Sequence, residues 1–396
     1  MIKEKISSFF KPKPKKFAEK LLDNVIHNEE LFKIVGKNNS LLEFMPDVES
    51  LNFDRSRLYK IEDLHDEFQK KLLPFTFSKP FICELDNVEL VGPSALMLYK
   101  KRAVLENSIG RDDCLQKSVT QASESCLPGI HGHLQNKNIF SSSIVICNLV
   151  NVWSKGYFHW LLEGLTRLQM VRRYEKKTSK KIKLLIDQNP PHYVKESLQL
   201  LGFEEHDLLY YTNQRNVVKK AILPSFRRQI GYTSACSCQW LKENIFSSLN
   251  IGATDQRGGL RIYISRKLAI KRQVINEEEL TVLLSEKGFV TVHLEEYSFA
   301  EQVKLFSKAS FVLAPHGAGL TNIIFSRPDT FVLELFHENY INPCYFTLAL
   351  AHGFMYYYVI GKEINDNMVV NVHAIERILD EVLVSPGFTN TETDTY

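Results

Sequence analysis

The run FVLAPHGAGLTNIIFSRPDTFVLELF, residues 311–336, constrains the fold more than any other stretch of the chain. Phe311-Val312-Leu313-Ala314 is apolar and short, the pattern of a strand buried on both faces. Pro315 stops that strand, and His316-Gly317-Ala318-Gly319 forms a tight turn open only to small residues. The spacing predicts a short helix over Leu320 to Phe325, ended by Arg327-Pro328-Asp329, and a second buried strand over Phe331 to Phe336. The result is a βαβ unit with a glycine turn at the carboxyl end of its first strand. Open α/β sheets bind ligands at that edge, and free N–H groups at a helix start favour phosphate. An ordinary strand-to-helix connection uses the same Gly-x-Gly spacing, so both readings stand at this point. Glu334 sharpens the question, because a carboxylate inside an apolar strand is costly unless something pairs with it. A ribose diol is one partner, and a structural Arg or Lys is the other.

At 396 residues the chain exceeds what one compact core usually organises, which predicts two domains. Hydrophobic residues at 44% and charged residues at 24% describe an ordinary globular protein. A net charge of +3 argues against a dedicated nucleic-acid binder. The seven cysteines are scattered and fit no metal-ligand spacing, and Cys236-Ser-Cys238 alone is too little for a zinc site. Their odd number and apolar surroundings point to a reducing compartment. No apolar run approaches the ~18 residues of a membrane span. The N-terminus, MIKEKISSFFKPKPKK, has lysines without a cleavable apolar core and does not read as a secretory signal. Phe9 and Phe10 followed by Lys11, Lys13, Lys15 and Lys16 suit either a solvated basic tail or weak peripheral contact with an anionic membrane.

Residues 1–78 read as a helical, basic segment, with helices expected over Lys20 to Glu30 and Ile61 to Leu72. From Pro80 the apolar-polar alternation around a Gly-Pro turn predicts a β-meander. Ser108 to Ser143 reads as loop. Alternating strands and helices then close a first α/β domain over residues 79–235. A second, with cleaner alternation, is expected over 236–370, and a closing helix and tail over 371–396. Asn276, with Glu279 three residues on, predicts a capping box there. Two α/β domains with a cleft between them is the expected architecture.

Two further clusters carry chemistry. In GYFHWLLEGLTRL a helix places His159, Glu163 and Arg167 on one face at i, i+4 and i+8. A carboxylate one turn from a histidine orients the imidazole as a general base, while a satisfied histidine beside a Glu-Arg pair fits the same spacing. In RIYISRKLAIKR, Ser265-Arg266-Lys267 follows a strand at its carboxyl end. Arg266 and Lys267, with Lys271 and Arg272 close by, suit a diphosphate or a solvated basic loop. No D-x-D pair occurs, so the usual carboxylate clamp for a divalent ion on a nucleotide diphosphate is missing, and HExxH, G-x-S-x-G and P-loop motifs are absent.

GYFHWLLEGLTRL, YISRKLAIKRQVINEEEL, LAPHGAGLTNIIFSRP and LELF, in that order, resemble the motifs of glycosyltransferase family 61. The resemblance runs from about Ile144 to Phe336 and weakly from Pro80; one departure is Thr166, where the family often has proline. It implies a GT-B-like fold, two Rossmann-like domains facing across a cleft. It also implies an inverting, metal-independent transferase with no cofactor, using a nucleotide-sugar donor, usually a UDP-sugar. His159 would be the base, steadied by Glu163. Arg266, Lys267 and the amides of His316-Gly317-Ala318-Gly319 would hold the leaving diphosphate, and Glu334 the ribose. Ser265, Arg167 and Asn322 fall within the same motifs and join the expected donor-binding set. Eukaryotic members work behind a signal or anchor, so the chain looks like a bacterial-type, cytoplasmic member building capsule or surface polysaccharide on a glycan or lipid-linked glycan acceptor. An epimerase or hydrolase of the same fold, or a non-catalytic sugar-nucleotide binder, are the other classes the residues admit.

Overall fold

The computed structural model describes residues 14–38, 40–45, 48–60, 64–125, 138–213, 215–252 and 259–384. The basic stretch through Lys13, part of the polar loop after Ile251 and the tail after Val384 lie outside them. The chain divides into two compact units, one of residues 1–48, 78–194 and 202–229, the other of 49–77, 195–201 and 230–396.

The first unit is built on a nine-stranded mixed sheet. The expected meander appears as antiparallel strands Phe81–Val91, Leu96–Tyr99 and Arg102–Val104. Strand Asn216–Pro224 pairs antiparallel with Phe81–Val91 on one side and parallel with Asn138–Asn148 on the other. Ile182–Asp187 and Leu208–Tyr211 continue the parallel half. Val88, Leu90, Met97, Ile146, Leu185 and Ala221 fill the core at 2% exposure or less.

Three sequence expectations change in this unit. Lys20 to Glu30 is not one helix, because strand Val25–Ile26 separates helices Pro14–Leu22 and Asn28–Lys37. The loop expected over Ser108 to Ser143 contains helix Asp112–Glu124, which buries Leu115, Val119 and Ala122 against the sheet strands. The helix expected from Tyr157 to Tyr174 has three geometries in succession. An opening turn, Tyr157–His159, leads into a π-helical turn, Trp160–Gly164, then a 3₁₀ turn, Leu165–Arg167, before a regular helix begins at Leu168. A Cβ on Gly164 would lie 3.1 Å from the Trp160 ring, and the Thr166 hydroxyl donates to the Leu162 carbonyl at 2.8 Å. Both features loosen the ordinary i to i−4 ladder.

The second unit holds a six-stranded sheet. Numbered by chain position its five parallel strands lie in the order 2-1-3-4-5, with Asn367–Val369 pairing antiparallel on the edge. The first and third of these, Leu260–Ile264 and Ala309–Pro315, are neighbours, and between them the chain reverses the direction in which it builds the sheet. Phe311, Leu313, Phe331 and Leu333 are fully buried, as their unbroken apolar runs require. Helix Val372–Leu383 packs Ile375 and Leu379 into the same core. The helix expected over Ile61 to Leu72 is reduced to a single turn, Asp66–Gln69; residues 61–63 fall outside the description. Asn276 does precede helix Glu277–Glu286, but its side chain clamps both backbone groups of Val370 instead of closing a capping box. The capping box forms one helix later, between Ser298 and Glu301. Cys83, Cys114 and Cys147 are buried thiols, and Cys126 lies outside the described residues.

Candidate active site

In the first unit the π-helical turn sets Glu163 beneath His159. The carboxylate is 0% exposed, and Oε2 lies 2.7 Å from His159 Nδ1. Its other oxygen accepts from Arg228 Nη1 at 3.2 Å. A buried carboxylate with a cation on one oxygen and an imidazole on the other is a compensated charge. A carboxylate only accepts, so Nδ1 donates to Glu163, and Nε2 is the ring nitrogen left to take a proton. The imidazole is stacked on Trp153, with ring centres 5.3 Å apart and planes 15° apart. Its side chain keeps 25% of its surface open. Gly156 has an ordinary backbone conformation, but a Cβ there would lie 3.3 Å from His159 Cδ2, the carbon next to Nε2.

Arg167, expected on the same face, does not join this pair. It is 2% exposed and donates to the carbonyls of Pro224 and Asn148, with its guanidinium over the Phe226 ring. The interrupted helix turns it inward, so Arg228 holds the place beside Glu163. Sequence reasoning missed Arg228 because it lies 65 residues from its partner.

In the second unit the two motifs at the sheet's carboxyl edge meet where the strand order reverses, the place where open α/β sheets take ligands. Arg266 follows the first strand and Gly317 follows the third. The Arg266 guanidinium lies against the Gly317 Cα so closely that a Cβ there would overlap Nη1 and sit 2.9 Å from Cζ. Gly317 has extended backbone that any residue can adopt, so a side chain there would have to displace the Arg266 guanidinium. Arg266 is steered by its Nε and Nη2, which donate to the Lys271 carbonyl at 3.3 and 3.1 Å. Burial, and then the nearby charge of Arg272, hold its pKa below the ordinary arginine value. The Ser265 hydroxyl accepts from the Lys267 N–H at 3.1 Å and fixes the loop. Lys271 pairs with Asp366 at 2.7 Å. The 3₁₀ helix Ala318–Phe325 starts at this guanidinium, its first N–H groups at the end that favours anions.

Two residues expected to touch the donor have other neighbours. Glu334 is 0% exposed, with Oε1 2.5 Å from His316 Nδ1 and Oε2 accepting from the Tyr356 hydroxyl at 2.5 Å. Both oxygens are thus taken within the protein, by neither the ribose nor the Arg or Lys that the sequence suggested. Asn322, also 0% exposed, donates to Gln302 Oε1 and to the Gly319 carbonyl, so it braces the turn from behind. Among the described residues no group of three or more His, Cys, Asp or Glu side chains is arranged to hold a metal ion. Among them, too, no helix is long and apolar enough to cross a membrane.

Residues 157–333 match the model of the family described as Glycosyltransferase 61. The chain is 27% identical over 176 residues to the EGF domain-specific O-linked N-acetylglucosamine transferase of Gallus gallus, which covers 39% of this chain and 32% of that protein. It is 32% identical over 106 residues to the protein O-linked-mannose beta-1,4-N-acetylglucosaminyltransferase 2 of Xenopus tropicalis, covering 26% of the chain and 18% of the relative. The human protein of the same name is 37% identical over 98 residues, covering 23% and 17%. The chain therefore spans about a third or less of the length of these curated relatives, which are vertebrate proteins. The family match takes in His159, Glu163, Arg266 and the His316–Gly319 turn.

Proposed function

We propose, from a chain that carries a glycosyltransferase 61 domain over residues 157–333, that it transfers a sugar from a nucleotide-sugar to a glycan hydroxyl with inversion at the anomeric carbon. The observation that carries this reading is His159 held by buried Glu163 at 2.7 Å. His159 Nε2 takes the proton of the acceptor hydroxyl. The acceptor oxygen forms its bond to the anomeric carbon from the face opposite the leaving group. The bond from that carbon to the phosphate oxygen breaks, and its electron pair leaves with the nucleotide diphosphate. The imidazolium formed is stabilised by Glu163, and the negative charge on the diphosphate by Arg266 and the N–H groups at the start of Ala318–Phe325. Lys267 supplements Arg266 from the same loop.

A UDP-sugar is the proposed donor, and N-acetylglucosamine, the sugar in the relatives' names, is the first to try. The proposed acceptor is a free or lipid-linked glycan, as in capsule or surface polysaccharide synthesis. The GT-B reading of the fold and metal independence belong to the same proposal, since cationic side chains and helix N–H groups take the place of an ion on the diphosphate.

The test is product analysis with UDP-sugars and glycan acceptors in excess EDTA. The reading predicts a new glycosidic linkage of inverted configuration together with free UDP. Free sugar without acceptor product would make the protein a hydrolase, an epimerised donor would make it an epimerase, and activity restored only by manganese or magnesium would contradict the charge arrangement.

A further inference from the structure

The hydrogen bond from Nδ1 to Glu163 fixes one point of the His159 ring and leaves the ring free to turn about it. Nε2 keeps one direction only if the plane of the ring is fixed as well, and the first unit supplies that second hold. The Trp153 indole lies on the imidazole with planes 15° apart. Gly156 closes the Cδ2 edge, where a Cβ would come within 3.3 Å. Trp153 is 38% exposed, so burial alone does not keep its own ring in place. Its backbone is clamped instead. The Trp153 N–H donates to Asn151 Oδ1 at 2.8 Å, and its carbonyl accepts from the Gly156 N–H at 2.8 Å. Ser154 donates to Asp187 at 2.6 Å and ties the loop to the end of strand Ile182–Asp187. The indole is held by helix Asp112–Glu124, whose Cys114 and Lys117, three residues apart, fall on one helix face. The indole N–H donates to the Cys114 sulfur. Lys117 Nζ lies 3.8 Å from the centre of a Trp153 ring, well within cation–π range. Cys114 is itself 1% exposed, in a cluster with Ile109 and Phe226 against which Val152 packs.

We propose that Trp153 is a positioning residue for the base. Its indole, held by Lys117 and Cys114, fixes the plane of the His159 imidazole, so that Glu163 and the stack together leave Nε2 a single direction. The helix Asp112–Glu124 thereby acts on the base through Trp153 without touching the reacting atoms. The role rests on the transferase reading for its purpose, but the hold on the imidazole does not depend on it.

The experiment is carbon relaxation NMR of ring-labelled histidine in the full chain without substrate, with the His159 signal assigned by its loss in His159→Gln. In the wild-type protein the indole ring current should move the His159 ring protons upfield, and the ring should be rigid, with an order parameter of about 0.85. Trp153→Leu should abolish the upfield shift and lower the order parameter below about 0.6. Trp153→Phe should restore the order, and Lys117→Met should loosen the ring less than Trp153→Leu does. If Trp153→Leu fails to fold, Lys117→Met carries the same test. The role is overturned by a wild-type signal with no upfield shift, by a ring as ordered in Trp153→Leu as in wild type, or by Trp153→Phe leaving it as loose as leucine does. The kinetic arm is UDP release from UDP-N-acetylglucosamine with methyl α-mannoside present. There Trp153→Leu should lower kcat by about 10–10²-fold, the cost of lost orientation, with the donor KM unchanged. A ring that loosens in a chain that releases no UDP keeps the hold on the imidazole and loses the transferase reading. UDP release at the wild-type kcat in Trp153→Leu keeps that reading and loses the positioning role.

Discussion

His159 and His316, one in each unit, set Nδ1 against a glutamate that is 0% exposed, at 2.7 and 2.5 Å, yet the two pairs are finished differently. The second oxygen of Glu163 meets the Arg228 cation, and the His159 side chain keeps 25% of its surface. The second oxygen of Glu334 meets the Tyr356 phenol, whose pKa is pushed well up by burial and then by the Glu334 charge, so it stays a donor. His316 is 5% exposed and packed among Phe336, Tyr340 and Tyr345. Its backbone N–H is bound to the Leu335 carbonyl at 2.8 Å. One histidine–glutamate pair thus has an open edge and a cation to share its charge, which suits proton transfer. The other is enclosed and ties two neighbouring strands together at the start of the glycine turn. The same two residue types give a base or a strut according to what covers the imidazole.

The sharpest way to break this contrast is at the strut. Glu334→Leu leaves His316 and Tyr356 without their shared acceptor in a fully buried site. It should cost about 2–5 kcal/mol of stability, since each buried polar group left without its partner costs about 1–3 kcal/mol. Glu334→Gln should cost less, since it keeps an acceptor for one partner. Thermal or urea unfolding reads both, and a Glu334→Leu protein as stable as wild type would remove the structural role.

Arg266→Ala tests whether the strut serves an anion site. It should weaken affinity for a nucleoside diphosphate by about 1.5–3 kcal/mol, the range for a hydrogen bond to a charged group. The melting temperature should move little, because the Arg266 side chain bonds only a loop carbonyl. Calorimetric titration with UDP measures it, and unchanged affinity takes Arg266 out of the site.

A smaller effect comes from His352, a histidine with no carboxylate partner among the described residues. Its ring is half-buried, but Nε2 is buried without a partner among the described residues. Burial, and then the Lys242 charge, lower its pKa to about 4. The unfolded chain therefore binds this proton first, at about pH 6.5. Stability is full above that pH and falls as pH drops toward 4. Discounted for the ring's partial exposure, the loss is on the order of 1–2 kcal/mol. His352→Phe should flatten the unfolding free energy between pH 6.5 and 4; an unchanged acid slope would assign the loss to other groups.

The sequence made strands Ala309–Pro315 and Phe331–His337 legible because each is a short apolar run bounded by turn residues, and helix Val372–Leu383 falls within the closing segment expected over 371–396. It made the His159–Glu163 pair legible because four residues of helical spacing survive even through a π-helical turn. What stayed hidden was non-local. Glu334 advertised a need for a partner, but His316 and Tyr356 lie 18 and 22 residues away and only the sheet brings them together. Arg228 reaches Glu163 from beyond another strand, and Arg167 was turned inward by an interruption that no local pattern marks. Helix Asp112–Glu124 was missed because its polar residues outweigh the few apolar ones that dock it.

The open pair is the proposed base, and His159→Ala tests it most directly. The protein should still fold and donor affinity should stay at its wild-type value, while transfer falls by about 10²–10⁴-fold, the usual contribution of a general base. Glu163→Gln should give a smaller loss, because the amide can still orient the ring but carries no charge to stabilise the imidazolium. A His159→Ala protein that folds, binds UDP-sugar and transfers it at the wild-type rate would contradict the assignment.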